Sequence, residues 1–217
     1  MALPTLFAPE HTCTTPTAFR VNQRYWSWLK NTGRGFAINA LTDRSSSAPL
    51  FTVETRLSGK HRVFKDRQGT ALCQLKRNWT QKKDAWILTR GEDEGKETLF
   101  TVHYHWFHWS RWKLNLKLNG AALARNGYQF ESGSSPQDVE LEVKSVNMWG
   151  SGFTVVLDGQ TIMRMRCTNM MHNVMSSFKV TPPRWDVDLV EGMDSVLAAT
   201  IAVVVSDSFS EAHLYMV

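Results

Sequence analysis

The chain has 217 residues, of which 42% are hydrophobic and 11% aromatic, which allows a sizeable core and excludes a disordered chain. The formal net charge of +5 is unevenly spread: residues 56–90 contain ten Lys or Arg and two acids, whereas the chain from Asp186 onward contains six acids and no Lys or Arg. The N-terminus lacks the basic and long apolar regions of a secretory signal, and the three cysteines are isolated, so we expect a cytoplasmic protein.

We predict an irregular N-terminal extension at residues 1–18 and a single domain at 19–217, because no linker, repeat or low-complexity tract divides the chain. Apolar and polar residues alternate through most of this domain, which is typical of half-buried strands. The expected strands are 35–41, 49–55, 61–66, 70–77, 85–90, 97–106, 111–118, 139–146, 152–158, 161–167 and 176–182. Between strands, hairpin turns are predicted from Gly, Asn and Asp at Asp66–Gly69, Asn119–Gly120, Asn126–Gly127 and Asp158–Gly159.

The most apolar stretch, "DSVLAATIAVVV", spans residues 194–205. It is too short for a bilayer-spanning helix, which needs roughly 20 apolar residues, so we expect no transmembrane span. Its β-branched residues favour a strand, but its length, its alanines and a break with an N-cap at Gly192 and Asp194 favour a helix. A helix that is apolar on every face must be buried inside the fold, and we predict one near 194–208.

The segment "HRVFKDRQGTALCQLKRNWTQKKDAWILTRGEDEGKETLFTV" (61–102) contains expected strands around a D-x-x-G hairpin and a W-x-x-x-R-G motif, and "SSFKVTPPRWDVDLVEGMDSVLAATIAVVVSDS" (176–208) leads from an expected strand into the apolar stretch. These two segments resemble the central pattern and the ending of the LURP-one-related family. The resemblance implies a mainly β, Tubby C-terminal-like fold, in which about twelve antiparallel strands form a closed barrel around a central apolar C-terminal helix. Strand residues such as Val102, Leu116 and Val155 would then pack against that helix.

A cluster of histidines and tryptophans, "HYHWFHWSRW", occupies residues 103–112. In a strand, His103 and His105 project to one face, and with His108 they could supply an acid or base, because imidazole titrates near neutral pH. Polar strand positions at a barrel rim are the simpler explanation, and we predict neither a metal nor a cofactor. The neighbouring tryptophans could line an apolar ligand site, although core packing also explains them. They are Trp106, Trp109 and Trp112.

Two other segments are candidate ligand contacts. In "MRMRCTNMMHNVM" (163–175), strand alternation does not explain Met170, Met171 and Met175, whose adaptable side chains suit contacts with an apolar ligand. The basic segment supplies a candidate site for an anion or lipid headgroup. Its residues are Lys76, Arg77, Lys82 and Lys83. Exposed Lys and Arg on alternate strand positions are the simpler explanation for this charge.

Three kinds of function remain open. The first is a noncatalytic barrel that binds a lipid or another hydrophobic or anionic small molecule, with peripheral membrane contact. The second is a cyclase or isomerase that holds a hydrophobic metabolite in a cavity, and the third is a protein-interaction module. The missing nucleophile elbow, P-loop, dinucleotide fingerprint and zinc-protease motif argue against common enzyme classes. We expect a monomer, because a closed barrel leaves few free strand edges, and we do not expect nucleic acid as a partner.

Overall fold

The chain forms a closed barrel of antiparallel strands around a C-terminal helix, which confirms the predicted fold class. The computed structural model describes residues 3–23, 35–41, 49–56, 61–78, 85–91, 97–105, 113–130, 135–147, 150–169 and 183–214, with the backbone alone at 78, 85, 104, 105 and 209–214. The twelve strands found there follow chain order around the barrel, and the first strand closes it by pairing with both the second and the last.

The bounds of the elements are as follows. The strands are β1 (Thr17–Gln23), β2 (Phe36–Ala40), β3 (Phe51–Thr55), β4 (His61–Lys65), β5 (Ala71–Asn78), β6 (Ala85–Arg90), β7 (Thr98–His105), β8 (Lys113–Leu118), β9 (Val139–Ser145), β10 (Gly152–Leu157), β11 (Gln160–Cys167) and β12 (Arg184–Leu189). The helices are α1 (Gly120–Arg125) and α2 (Ser195–Leu214), and a single 3₁₀ turn spans Pro9–His11.

Side-chain alternation places the core on the inner face of the barrel. In β8, Leu114, Leu116 and Leu118 are buried, whereas the alternating Lys113, Asn115 and Lys117 are more exposed. The inner positions predicted to contact the helix, Val102, Leu116 and Val155, are all fully buried, as expected.

Two strands were not among those expected from the sequence, namely β1 and β12. In β12, Trp185, Val187 and Leu189 are buried and alternate with charged residues, so the signal for a strand is present. The pairing of β12 with β1 joins opposite ends of the chain, for example Arg20 with Asp186. The strand expected at 176–182 lies outside the described residues.

Of the predicted hairpin turns, the one at Asp158–Gly159 is present and the one at Asn119–Gly120 is not. Asp158 and Gly159 both have positive φ, at 47° and 81°, as a two-residue hairpin turn requires. The prediction of a hairpin turn at Asn119–Gly120 was wrong, because Asn119 is the N-cap of α1. Its Oδ1 accepts hydrogen bonds from the amides of Ala121 (2.9 Å) and Ala122 (3.2 Å), and the sequence that follows contains good helix formers.

The apolar C-terminal stretch forms helix α2, as predicted, and this helix passes through the barrel. Residues 196–205 are buried on every side of the helix. The helix continues past the predicted end at 208 to Leu214, and its polar residues near 208 have partners. Ser206 Oγ accepts a hydrogen bond from the indole of Trp185 (3.2 Å), and Ser208 Oγ donates one to the carbonyl of Val204 (2.6 Å).

Candidate functional site

The two ends of the barrel differ. We call them the Asp194 end, where α2 begins, and the Asp207 end, where α2 leaves the barrel. At the Asp194 end, the carboxylate of Asp194 joins the start of α2 to the N-terminal segment. Its Oδ1 accepts hydrogen bonds from the amides of Val196 (2.9 Å) and Leu197 (3.0 Å), and its Oδ2 from those of Leu6 (3.0 Å) and Phe7 (2.9 Å). Burial raises the pKa of Asp194, and the four amide donors oppose that rise.

Further contacts hold the N-terminal segment across the Asp194 end. The side chains of Leu6 and Phe7 are buried, and the carbonyl of Leu6 accepts hydrogen bonds from Arg90 Nη2 and Asn126 Nδ2, each at 2.9 Å. The amide of Cys13 donates to the carbonyl of Met193 at 2.9 Å. This segment therefore closes the Asp194 end of the barrel.

The interior between the two ends is filled by α2 and the inner faces of the strands. From Val196 to Val205, no helix side chain is more than about one per cent exposed. The polar Thr200 is satisfied within the helix, since its Oγ1 donates to the carbonyl of Leu197 at 2.7 Å. In the described part of the chain, the interior around α2 is therefore a packed core.

The Asp207 end has a polar layer inside the barrel. Arg62 and Asp207 form a bidentate ion pair, with Nε to Oδ2 at 2.6 Å and Nη2 to Oδ1 at 2.9 Å, and their side chains are 2% and 1% exposed. Arg62 also donates to Thr55 Oγ1, and its guanidinium lies 5.3 Å from the ring centroid of Phe36. This pair ties α2 to the barrel wall.

The outer surface of the Asp207 end is cationic. Among the described residues within three positions of a strand terminus there, Lys and Arg outnumber Asp and Glu. Apart from Arg62, which is buried against Asp207, the cations are Arg20, Arg56, Lys76, Arg77, Lys113, Lys144, Arg164, Arg166 and Arg184, and the acids are Glu54, Glu142 and Asp186. At the Asp194 end, acids outnumber bases among the corresponding strand positions and the described connections. Positive charge is therefore concentrated where α2 leaves the barrel.

One acid on this surface is held between two lysines. Glu142 Oε1 lies 2.6 Å from Lys113 Nζ, and its other oxygen contacts Lys144 Nζ. Because both lysines donate hydrogen bonds to the carboxylate, the pKa of Glu142 falls to about 2. The acid is thus ionised at neutral pH and balances part of the local positive charge.

Of the predicted anion site, only Lys76 and Arg77 lie within the described residues, at the end of β5. Arg77 lies on the inward-facing side of the strand, and its guanidinium is 5.7 Å from the ring centroid of Trp86. Lys82 and Lys83 lie outside the described residues.

The predicted histidine cluster is described only in part. His103 is half-buried and alternates with the buried Val102, so it faces the outside of the barrel, and in register it lies opposite Asn115. His105 pairs with Lys113 in β8, but its side chain is not described, and His108 lies outside the described residues. In the described part of the chain, no group of three or more His, Cys, Asp or Glu side chains is arranged to hold a metal ion.

The predicted apolar contacts all lie outside the described residues. This applies to Trp106, Trp109, Trp112, Met170, Met171 and Met175. The tryptophans and methionines that are described, namely Trp86, Trp185, Met163, Met165 and Met193, are buried in the core.

Sequence reasoning missed the cations that come from separate strands. Lys113, Lys144, Arg166 and Arg184 belong to four different strands, so no run of basic residues reveals them. A signal does exist, because each occupies an outward position in an alternating strand such as "KLNLKL". Only the barrel topology brings them to the same end.

The cysteines give no sign of a nucleophile. Cys13, Cys73 and Cys167 are free thiols, and burial raises the pKa of each. A raised pKa leaves little thiolate at neutral pH, which disfavours nucleophilic catalysis.

The chain resembles known proteins both in sequence and in structure. No curated protein matches the chain. A similar solved structure is the X-ray structure of a protein from Arabidopsis thaliana, with a TM-score of 0.59 and 16% sequence identity over 95% of this chain and 99% of that chain. In the described part of the chain, no helix has the length and apolar content needed to cross a membrane. The family model described as LURP-one-related matches residues 17–207, and the chain therefore belongs to the LURP-one-related family.

Proposed function

We propose that this protein is a noncatalytic, monomeric binding module of the cytoplasm that recognises an anionic amphiphile, with phospholipid as the main candidate, through the Asp207 end of its barrel. The concentration of cations at that end supports this proposal. An anionic bilayer attracts such a surface with about 1 kcal/mol for each nearby Lys or Arg, within a Debye length of about 8 Å at physiological salt.

The packed interior favours binding over catalysis. A cyclase or isomerase needs a cavity that encloses its substrate, and the described core is filled by α2 and the strands. The described histidine at the rim, His103, faces outward, where water would compete with a substrate for the imidazole. Binding at the surface requires neither a cavity nor a buried acid or base.

Vesicle cosedimentation tests this proposal. The protein should bind vesicles that contain phosphatidylserine more tightly than vesicles of phosphatidylcholine alone, and added salt should weaken the binding. Reversing the charges of Lys76 and Arg184, which both face outward at the Asp207 end, should lower the affinity for the anionic vesicles. The matched control reverses Lys65 and Lys117, two lysines of the Asp194 end, and should have little effect. Equal binding to both vesicle types, or no binding to either, would refute the proposal.

The enzyme alternative has its own measurement. If His103→Ala abolished turnover of a hydrophobic metabolite while the circular dichroism spectrum stayed unchanged, the noncatalytic function would be wrong. The charge reversals should not affect such an activity, whereas they should weaken headgroup binding.

A further inference from the structure

The connection between β9 and β10 carries an unusually exposed apolar side chain at the Asp207 end. Val146, directly after β9, is 64% exposed. Val190 is the other large hydrophobic residue that is exposed in the described part of the chain; it follows β12 at the Asp194 end and is 39% exposed. The two valines therefore lie at opposite ends of the barrel.

The exposure of Val146 is fixed by the hydrogen bonds of its hairpin. The amide of Val146 donates to the carbonyl of Gly152 at 2.9 Å, which continues the β9–β10 ladder by one residue. Asn147 closes the turn, because its carbonyl accepts from the amide of Gly150 (3.2 Å) and its Oδ1 from the amide of Ser151 (3.1 Å). These bonds hold Val146 outward at the end of the ladder.

The residue across from Val146 in β10 is Gly152, which has no side chain to cover the valine. A Cβ atom at Gly152 would lie 3.6 Å from Val146 Cγ2 and 3.1 Å from the carbonyl oxygen of Met165. Glycine at 152 thus lets β10 approach β11 closely and leaves the side of Val146 uncovered.

Cations occupy neighbouring register positions on the same outer surface as this valine. Lys144 precedes it by two residues and faces the same side of β9, and Lys113 is the register partner of Lys144 in β8. Arg166 is the register partner of Gly152 in β11. Glu142 balances part of the lysine charge, and the remainder is positive.

An exposed apolar residue with cations at neighbouring positions is complementary to the surface of an anionic bilayer. The apolar side chain can enter the boundary between headgroups and acyl chains, while Lys and Arg extend to the phosphates. Val146 pays little conformational entropy on binding, because the hydrogen bonds of its backbone and of Asn147 are already formed. We propose that Val146 is the point at which the protein inserts into an anionic membrane, with Lys113, Lys144 and Arg166 contacting the headgroups. This inference rests on the proposed function and adds the depth and orientation of docking.

Substitutions at the two valines test the insertion. Val146→Glu should weaken binding to vesicles of phosphatidylcholine and phosphatidylserine by about tenfold, because it removes the burial of a valine and brings a negative charge to the lipid. The matched control Val190→Glu makes the same change at the opposite end and should alter binding less than about twofold. Circular dichroism spectra and urea midpoints of both variants establish that each is folded.

A gain-of-binding variant separates insertion from a structural role. Val146→Trp should bind the same vesicles several-fold more tightly, because tryptophan prefers the membrane interface. Loss of a structural contact would not tighten binding. Lys144→Gln with Arg166→Gln should lower the affinity for vesicles with phosphatidylserine and leave the weak binding to phosphatidylcholine unchanged.

The outcomes distinguish this inference from the proposed function. If the wild-type protein binds neither type of vesicle, both are refuted. If it binds anionic vesicles and Val146→Glu behaves as Val190→Glu does, the insertion is refuted and the binding function stands. If Val146→Glu instead loses a copurifying protein while vesicle binding is unchanged, the hairpin contacts a protein partner and the insertion is again wrong.

Discussion

The carboxylate of Asp194 provides the sharpest test of how the barrel is closed. Asp194→Asn keeps the shape of the side chain but replaces one acceptor oxygen with an amide group. Two of the four backbone amides of Leu6, Phe7, Val196 and Leu197 then lose their acceptor and face a donor. A hydrogen bond to a charged group contributes about 1.5–3 kcal/mol, so two lost bonds cost about 3–6 kcal/mol. Removing a buried charge offsets part of this loss, and we expect a net loss of about 3 kcal/mol.

Urea denaturation at neutral pH, followed by far-ultraviolet circular dichroism, measures this loss. Asp194→Ser retains an oxygen that can cap the helix but cannot also reach Leu6 and Phe7, so it too leaves two amides without an acceptor and should cost about as much as Asp194→Asn. The control is Asp138→Asn, because this exposed carboxylate accepts a hydrogen bond from the amide of Gly120 at 2.9 Å and should cost less than about 1 kcal/mol. An Asp194→Asn protein within about 1 kcal/mol of wild type would refute this account of the closure.

Three further predictions concern the ion pairs and the glycines. Arg62→Met and Asp207→Leu should each lower the free energy of unfolding by about 3–5 kcal/mol, because each leaves a buried charge unpaired, and the double variant should cost less than the sum of the two; an additive cycle in urea would contradict this. The depressed pKa of Glu142 supplies stability that is present above an ordinary carboxyl pKa of about 4.3 and is lost as the pH falls to about 2. Glu142→Gln should reduce this pH-dependent loss of unfolding free energy by at most about 1 kcal/mol, since the carboxylate is partly exposed. If the variant and the wild type lose stability equally as the pH falls, the lysine contacts of Glu142 would be refuted. Gly127→Ala should lower stability by about 1 kcal/mol because of its positive φ, whereas Gly120→Ala should cost several times more, since its Cβ would lie 2.2 Å from a backbone carbonyl oxygen; equal melting temperatures would refute this difference.

Much of the fold could be predicted from local patterns. Alternation identified most of the strands, and the burial of Val102 and Leu116 on the inner face follows from it. The all-apolar stretch required a buried helix, and Asp194 caps that helix as its residue type predicts. These features depend on a few neighbouring residues, which is why the sequence alone reveals them.

Features that depend on distant partners could not be predicted in this way. Arg20 and Asp186 form an ion pair at 2.6 Å across the seam between β1 and β12, although 166 positions separate them in the chain. The helix was expected to end at polar residues near 208, and it continues past them, with Asp207 paired to Arg62 from the other half of the chain. A polar residue in an apolar helix is ambiguous until its partner is known.

The candidate site shows the same limit. The basic run around Lys76 and Arg77 is visible in the sequence, because its members are close together in the chain. The cations around Val146 are contributed by separate strands, and their proximity follows only from the register of β8, β9, β10 and β11. A search for charge runs therefore finds one part of the cationic end and misses the other.

The abundance of large apolar residues has a packing explanation that also limits where function can lie. Helix α2 presents small or β-branched side chains to the barrel, among them Ala198 and Ala202, so the helix alone cannot fill the interior. The strands must supply the remaining volume, and they do so with residues such as Trp86, Trp185 and Met163, all of which are buried. In the described barrel, tryptophan and methionine content thus indicates a thin helix inside a wide barrel and gives no indication of a ligand cavity. Because the inner face is committed to packing, differences in ligand between proteins of this architecture should arise from outward positions and from the connections at the barrel ends, where substitutions do not disturb the core.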